Sequence, residues 1–174
     1  AADMAGGTPY NTADTGGPSA NYAAYVASRE SGNDANAVPR LPSGSLASSA
    51  GGPQQFIDST FAKQVSANRP DLAPGLADPA TLAAMKRDPT LSGQMSVTYA
   101  NENAPQLRAA GIPVNNQTLR VAHIGPGNAI PLLKADPNTP VSQILGQAAL
   151  TANPSWANMT AGQLIASLIG QGGS

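Results

Sequence analysis

The chain has 174 residues, a formal net charge of −1 and no cysteine. This length fits one ordinary domain, and the lack of cysteine excludes disulfides, thiolate zinc sites and cysteine nucleophiles. With only 11% charged residues, the sequence lacks the dense Lys/Arg surface of nucleic-acid-binding proteins. It also contains no apolar run long enough to predict a membrane span. We therefore expect no nucleic-acid partner and no membrane insertion.

Residues 1–19 are rich in Gly, Ala, Thr and Pro without any period, which predicts a flexible arm or linker before one folded domain over residues 20–174. A first helix is predicted from about residue 20 to Gly32, since glycine commonly follows a helix end. One face of this helix carries Tyr22, Tyr25, Val26 and Arg29. Glu30 then lies in the last turn, where the helix dipole disfavours a carboxylate.

Residues 33–52 predict a long loop with at most a small β element over residues 35–50, and loops of this length are usually functional or disordered. A second helix is predicted from Pro53, because proline is favoured in the first helical turn. One side of that helix carries Phe56, Thr60, Phe61 and Val65. A connector follows over residues 70–79.

Further helices are predicted over residues 79–87, 91–110, 115–123, 126–134, 140–151 and 158–169. The last of them has an apolar stripe of Leu164, Ile165, Leu168 and Ile169. Asn158 or Thr160 can cap its start, and Gly170 follows its end. Because alternating β patterning is nearly absent, the predicted fold class is mainly α.

Two segments of the sequence form a motif pair. Glu30-Ser31-Gly32 closes the first helix, and Gly52-Pro53-Gln54-Gln55-Phe56-Ile57-Asp58-Ser59-Thr60-Phe61 begins 20 residues later. Together they resemble the soluble lytic transglycosylase domain family, whose lysozyme-like fold has Glu-Ser-Gly at a helix end and Gly-x-x-Gln-Phe-Ile-x-x-Thr-aromatic at the next helix. Residues 122–129 (Ala-His-Ile-Gly-Pro-Gly-Asn-Ala) resemble a stretch of a bacterial and phage branch of that family. The resemblance covers roughly residues 20–160.

The chain departs from the family pattern at two places. The segment that follows His123 is one residue shorter than in the branch. Position 54 is Gln where relatives usually have an apolar residue, which predicts a more polar pocket wall.

The resemblance implies a peptidoglycan lytic transglycosylase of lysozyme-like fold. One glutamate, here Glu30, protonates the oxygen between N-acetylmuramic acid and N-acetylglucosamine. It then takes the proton of the 6-hydroxyl group, so that a 1,6-anhydro ring closes. Such a glutamate must begin the reaction protonated, which burial among apolar neighbours favours; Tyr25, Val26 and Phe56 are candidates. We expect no metal or other cofactor, and a monomer that acts on peptidoglycan glycan strands.

Five residues are expected to bind the substrate, namely Ser31, Gln55, Phe56, Tyr99 and His123. Structural roles stay open for them. Gln55 can satisfy backbone donors at a helix start, and the two aromatic rings can belong to the core. His123, the only histidine, can be a structural residue, and it lacks the companions that a metal site needs.

Two other functions also stay open. A hydrolytic muramidase needs a positioned water and usually a second carboxylate, for which Asp34 and Asp58 are nearest in sequence. A non-catalytic cell-wall or virion-binding module would not need Glu30. Glu102 is the second candidate for the acid.

The cellular setting follows only in outline. The N-terminus lacks the basic start and apolar core of a signal peptide, so we expect either a mature exported chain or a domain of a longer protein. The resemblance implies a periplasmic, secreted or virion-associated protein. Enzymes of cell-wall remodelling, secretion and phage lysis share these motifs.

Overall fold

The computed structural model describes residues 7–31 and 50–170, and these residues are mainly helical, which confirms the predicted fold class. The α-helices are α1 (Tyr22–Ser31), α2 (Asp58–Asn68), α3 (Pro79–Arg87), α4 (Pro89–Ala109), α5 (Asn116–Ala122), α6 (Pro126–Lys134), α7 (Gln147–Ala152) and α8 (Ala161–Ile169). Short 3₁₀ helices cover Ala73–Ala77, Val141–Gln143 and Pro154–Asn158. The predicted loop over residues 33–49, including most of the β element, lies outside the described residues. The lysozyme-like arrangement stays a prediction.

The chain divides into two compact units, and the boundary falls within α4. The motif unit comprises residues 20–99, and the α5 unit comprises residues 1–19 and 100–174. In the parts of the chain that the structure describes, no helix combines the length and the apolar composition needed to cross a lipid bilayer.

The core of the motif unit mixes aromatic and aliphatic side chains. Its fully buried members are Phe56, Phe61, Val65, Leu91, Met95 and Tyr99, and the partly buried side chains of Leu72, Leu76, Leu82 and Met85 pack against them. Phe61 and Val65 are four residues apart on α2, so both face the same way. On α1, Tyr22 and Val26 have the same spacing and are also buried.

The α5 unit is built around a short central helix. Six of the seven residues of α5 are buried, because α6 and α8 pack against it. The predicted apolar stripe of α8 is confirmed as buried. Thr160 caps α8 by accepting from the N–H of Gln163, while the Gln163 side chain accepts from the N–H of Thr160, so the cap is a capping box.

Two predicted helices are wrong in extent. The second helix begins at Asp58 rather than at Pro53, because Gly52 and Gln55 have φ of +75° and +51°, which no α-helix contains. The segment 140–151 contains two separate helices. They are separated at Gly146, whose ψ of 167° is extended.

Residues 7–19, predicted as part of a flexible arm, instead form a strap that is hydrogen-bonded to the α5 unit. The Asn115 side-chain amide donates to the carbonyl oxygens of Asn11 and Ala13, at 2.7 Å each. Asn115 also caps α5 by accepting from the N–H of Thr118 at 3.0 Å. Further hydrogen bonds join Asn11 to Gln117, Thr15 to Val114, Gly16 to Arg108 and Ser19 to Asn116. One buried asparagine therefore holds both the helix start and the strap.

Candidate active site

Glu30 lies in the last turn of α1 and is half-buried. Val26, one turn earlier on the same face, is fully buried, and Tyr25 beside it is also buried. Glu30 therefore follows buried apolar residues of the same helix, and its own side chain is only partly exposed. Ser31 is the last residue of α1, and its side chain lies outside the described residues.

The second motif forms a tight turn rather than the start of a helix. In this Gln55 turn (residues 51–56), the N–H of Gly51 donates to the carbonyl of Phe56 at 3.1 Å, and the N–H of Gln55 donates to the carbonyl of Gly52 at 3.2 Å. Among the described residues, Gln55 is the one non-glycine residue with a positive φ. Residues held in that region are strained by about 1 kcal/mol or more and are frequent at functional sites.

The side chain of Gln55 reinforces its own turn. Its Nε2 donates to the carbonyl of Gly52 at 2.7 Å, which fixes the plane of the amide. Gln55 is half-buried, and the next side chains along the chain are the buried Phe56 and the exposed Ile57. The turn therefore holds a half-buried, hydrogen-bonded amide, and the exposed Ile57 follows the turn in the chain.

Gln54 bonds the second motif to the first turn of α1, the helix whose last turn carries Glu30. Its side chain is 2% exposed, and its Nε2 donates to the carbonyl of Ala23 in α1 at 2.9 Å. The sequence predicted a polar pocket wall at this position. The structure instead places the side chain in the interior, where it joins the Gln55 turn to the helix that carries Glu30.

The two predicted aromatic contacts are core residues. The rings of Phe56 and Tyr99 meet edge to face, with centroids 6.1 Å apart and an interplanar angle of 62°. Their exposures are 3% and 8%, which leaves little surface for a ligand. Phe56 also contacts Phe61, at a centroid distance of 5.6 Å. The alternative that the sequence left open, in which the two rings belong to the core, therefore describes Phe56 and Tyr99 better.

His123 belongs to the α5 unit, where it follows the end of α5 and is half-buried. Its backbone N–H donates to the carbonyl of Leu119 at 3.0 Å. The predicted role of His123 in one site with Gln55 stays a prediction. Glu102, the second candidate for the acid, is exposed.

The acids that could assist Glu30 have structural partners. Asp58 forms an ion pair with Lys86 at 2.6 Å. Bonds from Arg69 and from Thr81 hold the pKa values of Asp71 and Asp78 below their usual 3.8. Asp88 accepts hydrogen bonds from the backbone at the start of α4. Asp34 lies outside the described residues.

A metal site does not emerge from the described residues, since they contain no group of three or more His, Cys, Asp or Glu side chains arranged to bind an ion. The motif unit also contains a shallow apolar groove of about 540 Å³ that was not predicted from the sequence. Its lining residues are Ala23, Pro89, Thr90, Gly93, Gln94, Val97 and Thr98. The α4 members recur at helical spacing, which is the signal that could have shown this face. None of the predicted site residues lines this groove.

Comparison of the chain with protein-family models, with curated proteins and with solved structures gave no match. The resemblance to lytic transglycosylases therefore rests on the motif residues themselves. The structure adds that the Gln55 turn is bonded, through Gln54, to the helix that carries Glu30.

Proposed function

We propose that this chain is a peptidoglycan lytic transglycosylase in which Glu30 is the single catalytic acid and base. The observation that carries the proposal is the bond between the second motif and the helix that carries Glu30. A half-buried glutamate lies in the last turn of α1, and a strained turn bearing Gln55 is fastened to the first turn of the same helix by the 2.9 Å hydrogen bond from Gln54 to Ala23. Two motif segments that are distant in sequence thus belong to one connected substructure.

In the proposed reaction, the protonated Glu30 donates its proton to the glycosidic oxygen as the bond to C1 of N-acetylmuramic acid breaks. The acetamido group of that sugar assists departure by stabilising the positive charge at C1. The Glu30 carboxylate then removes the proton of the 6-hydroxyl group, whose oxygen attacks C1. The ring closes without water, and Glu30 is protonated again for the next cycle.

Gln55 has a binding role in this scheme. Because its Nε2 donates to the carbonyl of Gly52, the amide plane is fixed before any ligand arrives. We assign its amide oxygen as the acceptor for the acetamido N–H of the substrate. A group held rigidly in advance loses little entropy on binding, so its hydrogen bond contributes more fully.

The surroundings of the other acids support the non-hydrolytic reaction. A retaining pair of carboxyl groups stands about 5–5.5 Å apart and an inverting pair about 6.5–9.5 Å apart. Within the described part of the motif unit, Asp58, Asp71, Asp78 and Asp88 are all engaged by an ion pair or by hydrogen bonds. Moving any of them into catalysis would break a structural contact. A single-glutamate mechanism needs no such exchange.

The proposal is tested first with Glu30→Gln, which keeps the shape of the side chain but removes its acid. We expect clearing of purified peptidoglycan to fall by about 10²-fold or more, while the thermal midpoint stays near that of the wild type. The matched control is Glu102→Gln, an exposed acid that should keep full activity. A Glu30→Gln protein with more than about a tenth of the activity would contradict the proposal.

The reaction type is tested by mass spectrometry of the digest. Anhydro-muropeptides are lighter by one water than the products of hydrolysis. Hydrolytic products that depend on Glu30 would show a muramidase in place of a transglycosylase. Peptidoglycan strands are the proposed partner, and the proposed setting is periplasmic, secreted or virion-associated, with the chain acting as a monomer.

A further inference from the structure

Lys86, near the end of α3, contacts the Gln55 turn and its continuation from the inside. This side chain is only 7% exposed, although lysine is rarely buried. Its Nζ lies 2.6 Å from the Oδ1 of Asp58, the first residue of α2. Asp58 lies three residues after Gln55. The ammonium group therefore holds the chain where it leaves the turn.

The backbone of Lys86 holds the other side of the same turn. Gly52, three residues before Gln55, packs so closely on the carbonyl oxygen of Lys86 that a Cβ built on Gly52 would overlap it. That oxygen also accepts a hydrogen bond of 2.5 Å from the buried hydroxyl of Ser92 in α4. Because Ser92 fixes the carbonyl from behind, Gly52 rests on a rigid surface.

These contacts surround a backbone conformation that would not persist alone. A positive φ at a non-glycine residue is retained only where the surrounding structure determines it from several sides. Lys86 supplies two of those sides, through Gly52 and through Asp58. The internal hydrogen bonds of the turn and the bond from Gln54 to Ala23 supply the others.

We propose that Lys86 is a positioning residue for substrate binding, holding Gln55 in its strained conformation through Gly52 and Asp58. The inference rests on the proposed function, in which the Gln55 amide accepts from the acetamido group. It goes beyond that function by assigning a part in substrate affinity to Lys86, a buried residue outside both motifs, and to its ion pair with Asp58.

A purely structural ion pair would behave differently. Lys86 is the buried member of this pair, since the Asp58 side chain is 51% exposed. Replacing both members by neutral residues of similar size is therefore expected to be nearly neutral for stability, because the buried charge no longer has to be desolvated. Removing Asp58 alone leaves the buried lysine uncompensated and is destabilising. The double change therefore separates stability from positioning.

The experiment compares Lys86→Met, Asp58→Asn and the double variant Lys86→Met/Asp58→Asn with the wild type. The control is Arg69→Met/Asp71→Asn, an exposed pair of the same unit whose members are 2.8 Å apart. We expect the double variant to recover the thermal midpoint of the wild type. In the cleavage of a soluble glycan oligomer from purified peptidoglycan, its KM should nevertheless stay about tenfold above the wild-type value, with kcat little changed. The control should keep the wild-type KM.

A second readout does not depend on activity. The amide hydrogens of Gly51 and Gln55 are bonded within the turn, so their exchange reports the turn directly. We expect exchange about tenfold faster in the double variant, with the core amides of α2 unchanged. If the wild-type protein cleaves no peptidoglycan, the proposed function is refuted. Faster amide exchange in the double variant would then still support the anchoring role of Lys86. The contact of Gly52 with the backbone carbonyl of Lys86 is kept in every variant, so wild-type exchange in the folded double variant would overturn the positioning role of the Lys86 side chain, whatever the KM.

Discussion

The Gln55 turn and the strap are both irregular segments that side-chain amides fasten to a helix, yet they are held by different means. The turn is enclosed: Gln54 and Lys86, which hold it, are buried. The strap is largely exposed, and hydrogen bonds hold it, two of them from the single side chain of Asn115. Close packing therefore determines the conformation of the turn, whereas a few polar contacts determine the course of the strap.

This difference predicts different sensitivities. A packed turn with a positive φ tolerates the loss of a surface side chain, but it does not tolerate a Cβ added where its backbone contacts a neighbouring segment. A strap held by hydrogen bonds tolerates added atoms at exposed positions but not loss of its anchor. The turn can thus keep a binding group fixed, and the strap serves stability.

The largest effect is expected for Gly52→Ala. The new Cβ would overlap the carbonyl oxygen of Lys86, and φ at this position is +75°. We expect the free energy of unfolding to fall by about 3 kcal/mol, measured by urea denaturation.

The matched control is Gly111→Ala, since φ there is +77° but nothing lies within 4 Å of the added atom. It carries only the conformational cost, about 1 kcal/mol. Equal losses in the two variants would contradict the packed description of the turn.

A smaller loss is expected for Asn115→Ala, which removes the cap of α5 and both amide bonds to the strap. We expect the free energy of unfolding to fall by about 2 kcal/mol. Thr160→Ala provides the comparison, because Thr160 caps α8 through the same kind of capping box. Its loss should cost about 1 kcal/mol. If Asn115→Ala costs no more than Thr160→Ala, the two amide bonds from Asn115 to the strap contribute nothing to stability.

The smallest effect is expected for the contribution of the strap to stability at low pH. Hydrogen bonds from the N–H groups of Val114 and Gly16 hold the pKa of Asp14 below its usual 3.8. A carboxyl group with a lowered folded pKa stabilises the fold above its unfolded pKa, and that contribution is lost as the pH falls through the folded value. The stability of Asp14→Asn should therefore fall less than that of the wild type between about pH 5 and pH 2. If the free energy of unfolding falls equally with pH in the two proteins across that range, Asp14 does not stabilise the strap.

Much of the helical structure could be predicted from local signals. The bounds of α3 and α6 agree with the sequence analysis, since proline opens each helix. The cap of α8 was also identified as one of two residues. These features depend on neighbours within one or two turns, which the sequence displays directly.

The geometry of the candidate site could be predicted only in part. The motif pair pointed to Glu30 and Gln55, and the structure confirms that Glu30 lies in the last turn of a helix. The pattern after Pro53 predicted a helix where a turn exists. The close contact between Gly52 of the turn and the backbone of Lys86 involves residues that are distant in sequence, so the local pattern does not show it. The core roles of Phe56 and Tyr99 likewise depend on a contact between segments far apart in the chain.

The sequence by itself determined the mainly helical class, most helix bounds and the candidate acid, because capping, apolar spacing and motif residues act over short stretches of chain. Only the tertiary structure decided that Gln55 has a positive φ, that Lys86 is buried beneath it and that residues 7–19 are bound as a strap. Each of these depends on a contact between residues roughly 30 to 100 positions apart. Such contacts leave no periodic trace in the sequence, since they follow from how the helices pack and not from how each one forms.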